Sequence, residues 1–299
     1  MRLHIFLYII SNLFLLQLNS LESASVDSVV NIICVISIAT LGIAHGAIDN
    51  ILHGANKGMS KFFFILKYLL IMLLFAIFWF VTPNLAFLVF LILSAYHFGQ
   101  TQLVDYKISS KLVSGFMYFL WGGIVILLML FFNKEHLMEL RGAEYNLPEV
   151  YFHLVTHSQA YLLSFAGLLV AIFAKIRIDG AISNSALFKE TYLMALITCS
   201  FLLMEPFIAF ALFFVLVHSL KAISQEFTFC KEKLIIQNTV QFFLLFLPLT
   251  ISSLVGISVV LLLVVQFSHL SLIPYTLLVL LSCITIPHSF VMNRFYNFV

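Results

Sequence analysis

Leu112–Phe132, LVSGFMYFLWGGIVILLMLFF, runs its whole length without a charged residue. It exceeds the roughly 18 consecutive apolar residues at which a helix can cross a hydrocarbon layer about 30 Å thick. Comparable stretches extend in both directions from it. The windows predict about ten spans: Leu3–Leu18, Val29–Leu52, Lys61–Val81, Leu85–Val104, Leu112–Phe132, Val150–Ala174, Glu190–Met204, Pro206–Ile223, Gln237–Phe267 and Leu270–Phe290. Composition agrees, with 63% hydrophobic and 9% charged residues and a mean hydropathy of +1.11. A soluble domain of this size carries roughly 25% charged residues. The expected fold is therefore an all-α, polytopic transmembrane bundle of about 8–10 spans. No long linker, low-complexity tract or internal repeat divides it, so residues 1–299 are read as a single integral membrane domain.

Two spans carry breaks of their own. Pro206 separates the seventh from the eighth, and the ninth contains Pro248, Ser252, Ser253 and Gly256, which predict a tilt, a break or two helices. The opening MRLHIFLYIISNLFLLQLNSLESA has the outline of a secretory signal. Because further spans follow throughout, it is read as an uncleaved first helix.

Basic residues orient the chain, since Lys and Arg are retained on the cytoplasmic side. Lys57 with Lys61, Lys107 with Lys111, Lys175 with Arg177 and Lys189, and Lys221 with Lys231 and Lys233 fall in alternate connections. Arg2 and Arg294 mark the two ends, while Glu22 and Asp27 and the acidic Asn133–Glu149 loop, despite its Lys134 and Arg141, lie opposite. Both termini are expected in the cytoplasm of a multi-pass inner-membrane protein.

The net charge of +2 and the lack of any Lys/Arg run exclude a nucleic-acid partner. Cys34, Cys199, Cys230 and Cys283 are far apart with no CxxC spacing, so they read as small core residues.

Four histidines sit in hydrophobic stretches: His45 in GIAHGAIDN, His97 in LSAYHFGQ, His218 in VLVHSLKA and His288 in TIPHSFV. Ionisable groups inside membrane spans are rare and are usually kept for a site. In this threading the second, fourth, eighth and tenth spans run the same way, and each histidine lies in the later part of its span. All four then share one depth, toward the cytoplasmic side. His153 and His157 are spaced i,i+4 on one helical face but at the outer end of their span. His4, His136 and His269 also lie at the wrong depth, and His53 is placed in the cytoplasmic connection, at the mouth.

Four converging imidazoles predict a metal centre. Imidazole suits iron, zinc, copper and nickel, and the carboxylate-rich shell expected for calcium or magnesium is absent. Neutral ligands leave the ionic charge on the metal and coordination positions free for a small molecule, which admits redox chemistry with O2. Asp49 follows His45 by four residues, on the same helical face. It is read as accepting the other ring N–H of a histidine ligand, or else as a helix-end carboxylate facing Lys57 or water. Gly42 and Gly46 permit close helix approach, and Tyr96 and Phe98 are expected beside the centre.

At these residues the chain resembles the Brp/Blh family of β-carotene 15,15′-dioxygenases. The resemblance is carried by GIAHGAID around His45, AYHFGQ around His97, HSLKA from His218 and IPHSF around His288. It implies an integral membrane enzyme with Fe(II) held by His45, His97, His218 and His288, and with Asp49 and Tyr96 as candidate catalytic residues. It further implies carotenoid and O2 as substrates and retinal as product. The 33 phenylalanines would suit a tunnel for such a polyene. The chain departs from the family at Ala222, where relatives carry a second histidine four residues after the first. Either one ligand is lost or another replaces it, with His288 the natural candidate, which bears on substrate, metal affinity and activity. Two other classes fit intramembrane histidines: a transporter or channel with a histidine relay, and a haem-binding electron carrier.

Overall fold

The computed structural model describes residues 3–19, 24–54, 60–106, 108, 110–139, 147–233, 235–267 and 272–297. Arg2, Glu22, Lys57, Lys107, Arg141 and His269, used in reading the sequence, lie outside them, as does Leu270. Every described element is helical, and nine stretches among the described residues are long and apolar enough to cross a membrane. The molecule is an all-α polytopic membrane bundle.

The first third comprises α1 (Leu3–Asn19), α2 (Ala24–Ser37), a π-helical turn at Ile38–Gly42, α3 (Asp49–Gly54), α4 (Lys61–Val81) and α5 (Pro83–Leu103). The middle third holds α6 (Lys111–Phe132), α7 (Lys134–Glu139), α8 (Glu149–Thr156), α9 (Ser158–Ile178) and α10 (Asn184–Leu203). The last third has α11 (Pro206–Leu212), a π-helical stretch at Phe213–Ser219, α12 (Leu220–Glu232), α13 (Thr239–Phe267) and α14 (Ile273–Tyr296).

Local chemistry sets many of these ends. Ser60, Ser110 and Ser183 cap α4, α6 and α10, each hydroxyl accepting from the amide three residues on. Pro83 and Pro206 open α5 and α11 at the position where no amide hydrogen is needed. The second span is not the continuous helix expected over Val29–Leu52. It passes through the π turn and an irregular turn at 45–48 before α3. The sixth likewise breaks at His157, so that α8 ends before the long α9 begins. By contrast the ninth stays one helix of 29 residues with Pro248 inside it. It lies largely exposed, with Phe242, Phe246 and Thr250 as its buried residues.

Lipid tails give apolar side chains no reason to leave them, so helices associate through close packing and internal hydrogen bonds. The pair α5 and α6 shows the first. A Cβ on Gly99 would stand 1.9 Å from the Tyr118 carbonyl oxygen, and one on Gly122 1.9 Å from that of Ala95. Only glycine lets these backbones touch. The second device appears where Trp79 donates to Ser282 Oγ at 2.7 Å, tying α4 to α14.

A buried polar layer joins the ends of α5, α10, α12 and α14. Gln102 Nε2 donates to both Glu190 oxygens at 2.9 Å and Tyr106 to Oε1 at 2.8 Å. Lys221 pairs with Asp105 at 3.3 Å and donates to the Gln102 carbonyl. Lys221, expected in a cytoplasmic connection, is thus a buried structural cation at 3% exposure.

Candidate metal centre

Four elements bring one imidazole each to a common point beside that polar layer. His45 lies in the irregular turn between the first π turn and α3, His97 in the regular α5, His218 in the second π stretch, and His288 directly after Pro287 in α14. Three of the four therefore sit where helical regularity is interrupted. A proline inside a helix removes one backbone hydrogen bond, and π turns are frequent at functional sites.

The rings form a closed quadrilateral. Centroids are 5.1 Å apart for His45 and His218, 4.8 Å for His218 and His97, 4.9 Å for His97 and His288, and 4.7 Å for His288 and His45. His45 and His97 face each other across it at 6.3 Å with nearly parallel planes. All four are at most 5% exposed. Ligand nitrogens of His45, His97 and His288 lie within 4.8 Å of one another. His218 completes the ring but is not part of that closest set of nitrogens.

Hydrogen bonding separates occupied from free nitrogens. His45 Nδ1 bonds the Gly42 carbonyl at 2.5 Å. His288 Nδ1 meets both Asp49 oxygens at 3.0 and 3.1 Å. Both nitrogens of His97, both of His218, and His288 Nε2 are buried with no hydrogen-bond partner. A buried polar atom left unpaired costs about 1–3 kcal/mol. One such nitrogen from each of His97, His218 and His288 fits a bound cation, which would take up one lone pair per ring.

The Asp49 carboxylate faces His288 and not His45, whose helical face its i,i+4 spacing predicted it to share. The helix expected to carry His45 and Asp49 on one face is interrupted at 45–48, which turns Asp49, 2% exposed, to His288 on α14. Tyr68 of α4 donates to the Ile284 carbonyl of α14 at 3.4 Å, one helical turn before His288. No sequence signal marked Tyr68, which lies within an apolar helix far along the chain from Asp49. Tyr96 does not turn its hydroxyl to the histidines: it donates to Asn293 Oδ1 at 3.2 Å, where Gln100 Nε2 also donates at 2.9 Å. Phe98 does reach the centre, 4.8 Å from His218.

Gly46 passes under His288, where a Cβ would stand 3.3 Å from Nδ1. Ala222 is fully buried one helical turn after His218. The rings of His153 and His157 lie tilted against each other at 4.3 Å, apart from the four, and are exposed. All four cysteines are free thiols.

The fold and the site define a multi-pass helical membrane protein with a buried cluster of imidazoles able to hold a metal ion. The model of the family described as beta-carotene 15,15'-dioxygenase matches residues 36–296, and the chain belongs to that family. It is a carotenoid dioxygenase-type enzyme by membership. No curated protein and no solved structure matches the chain.

Proposed function

We propose that this protein is an iron-dependent membrane enzyme that cleaves the central double bond of β-carotene, or a related carotenoid, with O2 to give retinal. The observation that carries the proposal is the buried ring of four histidines, three of which keep a nitrogen without a hydrogen-bond partner, in a chain of the dioxygenase family. His45, His97 and His288 are the ligands proposed first, with His218 as the fourth. Fe(II) held there would supply the activation of O2, the part of the chemistry a protein side chain cannot perform.

The residues themselves do three things. Asp49 and the Gly42 carbonyl occupy one nitrogen each of His288 and His45, fixing which nitrogen faces inward. Phe98 and Phe214 wall the cluster with apolar rings, 4.8 Å and 5.6 Å from His218, and keep bulk water from it. The helices hold the double bond of a bilayer-dissolved substrate within reach. In the reaction one C=C bond is exchanged for two C=O bonds, and both oxygen atoms of O2 end in the aldehydes, so no further reductant enters.

His45 and His97 face each other at 6.3 Å, but the rings of His218 and His288 stand 4.7–5.1 Å from both and occupy the space a porphyrin plane would need, which disfavours a haem seat. The alternation of basic residues supports an orientation with the centre near the cytoplasmic leaflet and both termini in the cytoplasm.

Expression in carotene-accumulating bacteria tests the assignment. Bleaching with retinal formation is expected, together with stoichiometric iron and no haem band in the purified protein. A protein that holds no iron, or that leaves the carotenoid intact, removes it.

A further inference from the structure

Between α1, α2 and α11 lies a cavity of about 560 Å³. Val30, Ile33 and Cys34 line one side, Ala211, Leu212 and Val215 the other, and no charged side chain borders it. From Ser25 to Ser37 it follows α2 for about 18 Å at 1.5 Å per residue. The outer surface of α2 is unpacked: Val29, Ile32, Ile33, Val35 and Ile36 are all exposed. In a bilayer this wall meets hydrocarbon.

The inner end of the cavity runs into the histidine ring through continuous packing. Val30, Cys34 and Ala211 form a small core against which Ile38 packs. Ile38 and Phe214 meet at Gly42, whose added Cβ would lie 3.5 Å from Ile38 Cγ2 and 2.7 Å from Phe214 Cε1. The same Phe214 ring stands 6.0 Å from His45 and 5.6 Å from His218. Both backbone segments at this junction, Ile38–Gly42 and Phe213–Ser219, are π-helical, a distortion frequent at functional sites.

We propose, resting on the reaction assigned above, that this cavity seats one arm of the carotenoid, admitted sideways from the bilayer, with Phe214 the wall beyond which the polyene meets the histidines. A long, narrow, uncharged slot suits a rigid rod. Because it ends at Ser37 and Val215, beside the Phe214 ring that borders the imidazoles, a rod that passes Phe214 brings its middle, and not its tip, to the metal centre. That continuity favours the carotenoid over a lipid acyl chain, which gains nothing from lying on the approach to a buried histidine cluster.

The neighbours Ile32 and Ile33 separate the seat from the surface. Both are exposed, at 57% and 56%, so either accepts a larger side chain without overpacking the core, yet Ile33 lines the cavity and Ile32 does not. Full-length protein in detergent micelles, stripped of metal by a chelator, is titrated with β-carotene and binding is followed by visible absorption. Ile33→Trp is expected to weaken binding by about tenfold or more and Ile32→Trp by less than about twofold. Val29→Trp, also on the cavity wall, repeats the test should Ile33→Trp fail to fold.

Equal binding by the wall and surface variants overturns the proposal, as does absence of carotenoid binding by the unmodified protein. Displacement of co-purifying phospholipid with carotenoid binding unchanged also overturns it, by identifying a lipid seat. An unmodified protein that binds carotene at this wall, yet forms no retinal once iron is restored, breaks the assigned reaction and leaves the seat standing.

Discussion

Two groups of histidines in this molecule look alike by distance and differ in everything that decides chemistry. The rings of His153 and His157 are 4.3 Å apart, closer than any pair in the central quadrilateral. Yet His153 Nε2 bonds the Tyr161 hydroxyl at 3.0 Å and His157 Nδ1 the His153 carbonyl at 2.9 Å, both at exposed positions. The central rings are buried, and His97, His218 and His288 each keep a nitrogen with no partner in the protein. Proximity of imidazoles is therefore no sign of a site. Burial with lone pairs left over is, because the fold has carried the cost of desolvating those atoms without returning a hydrogen bond.

The contrast is broken or sharpened by four variants. His97→Ala has the largest expected effect. It should lower both bound iron and retinal formation by more than the 10–100-fold typical of residues that only support a ligand, read by metal analysis and product chromatography. Iron retained in this variant would make the central rings equivalent to the outer pair. Asp49→Asn keeps the shape but removes the charge facing His288, and iron affinity is expected to fall by about 10–100-fold. Tyr68→Phe removes the hydrogen bond to the Ile284 carbonyl, one turn before His288. A loss of roughly tenfold or less in iron affinity is expected, matching the roughly 0.5–1.5 kcal/mol net worth of a neutral hydrogen bond. His153→Ala with His157→Ala should leave iron content and turnover within about twofold, since these nitrogens are committed and exposed. A large loss there would erase the distinction.

Much of the fold was legible because its signal is local. A run such as Leu112–Phe132 needs no partner to be recognised, as the bilayer imposes helix on any long apolar segment. The meeting of His45, His97, His218 and His288 was legible for a related reason: alternation of loop charge sets each span's direction, and direction sets each histidine's depth. That Asp49 would meet a histidine was legible, but not that the ring is His288, because spacing i,i+4 counts only along an unbroken helix and the chain turns at 45–48. Tyr68 escaped entirely. Its hydroxyl acts through α4 packing on α14 and α3, a contact with no trace in the order of residues.

From its residues alone this chain is an α-helical membrane protein with imidazoles at one depth, since lipid reads hydrophobicity and charge segment by segment. Which nitrogens point inward, which ring Asp49 holds, and how Phe214 stands between a lipid-side cavity and the histidines were decided by the tertiary structure. Those depend on π turns, on Pro287 and on the close glycine contacts, where an ångström of backbone shift redirects a side chain. Such shifts follow from how the helices pack together, and no single segment encodes them.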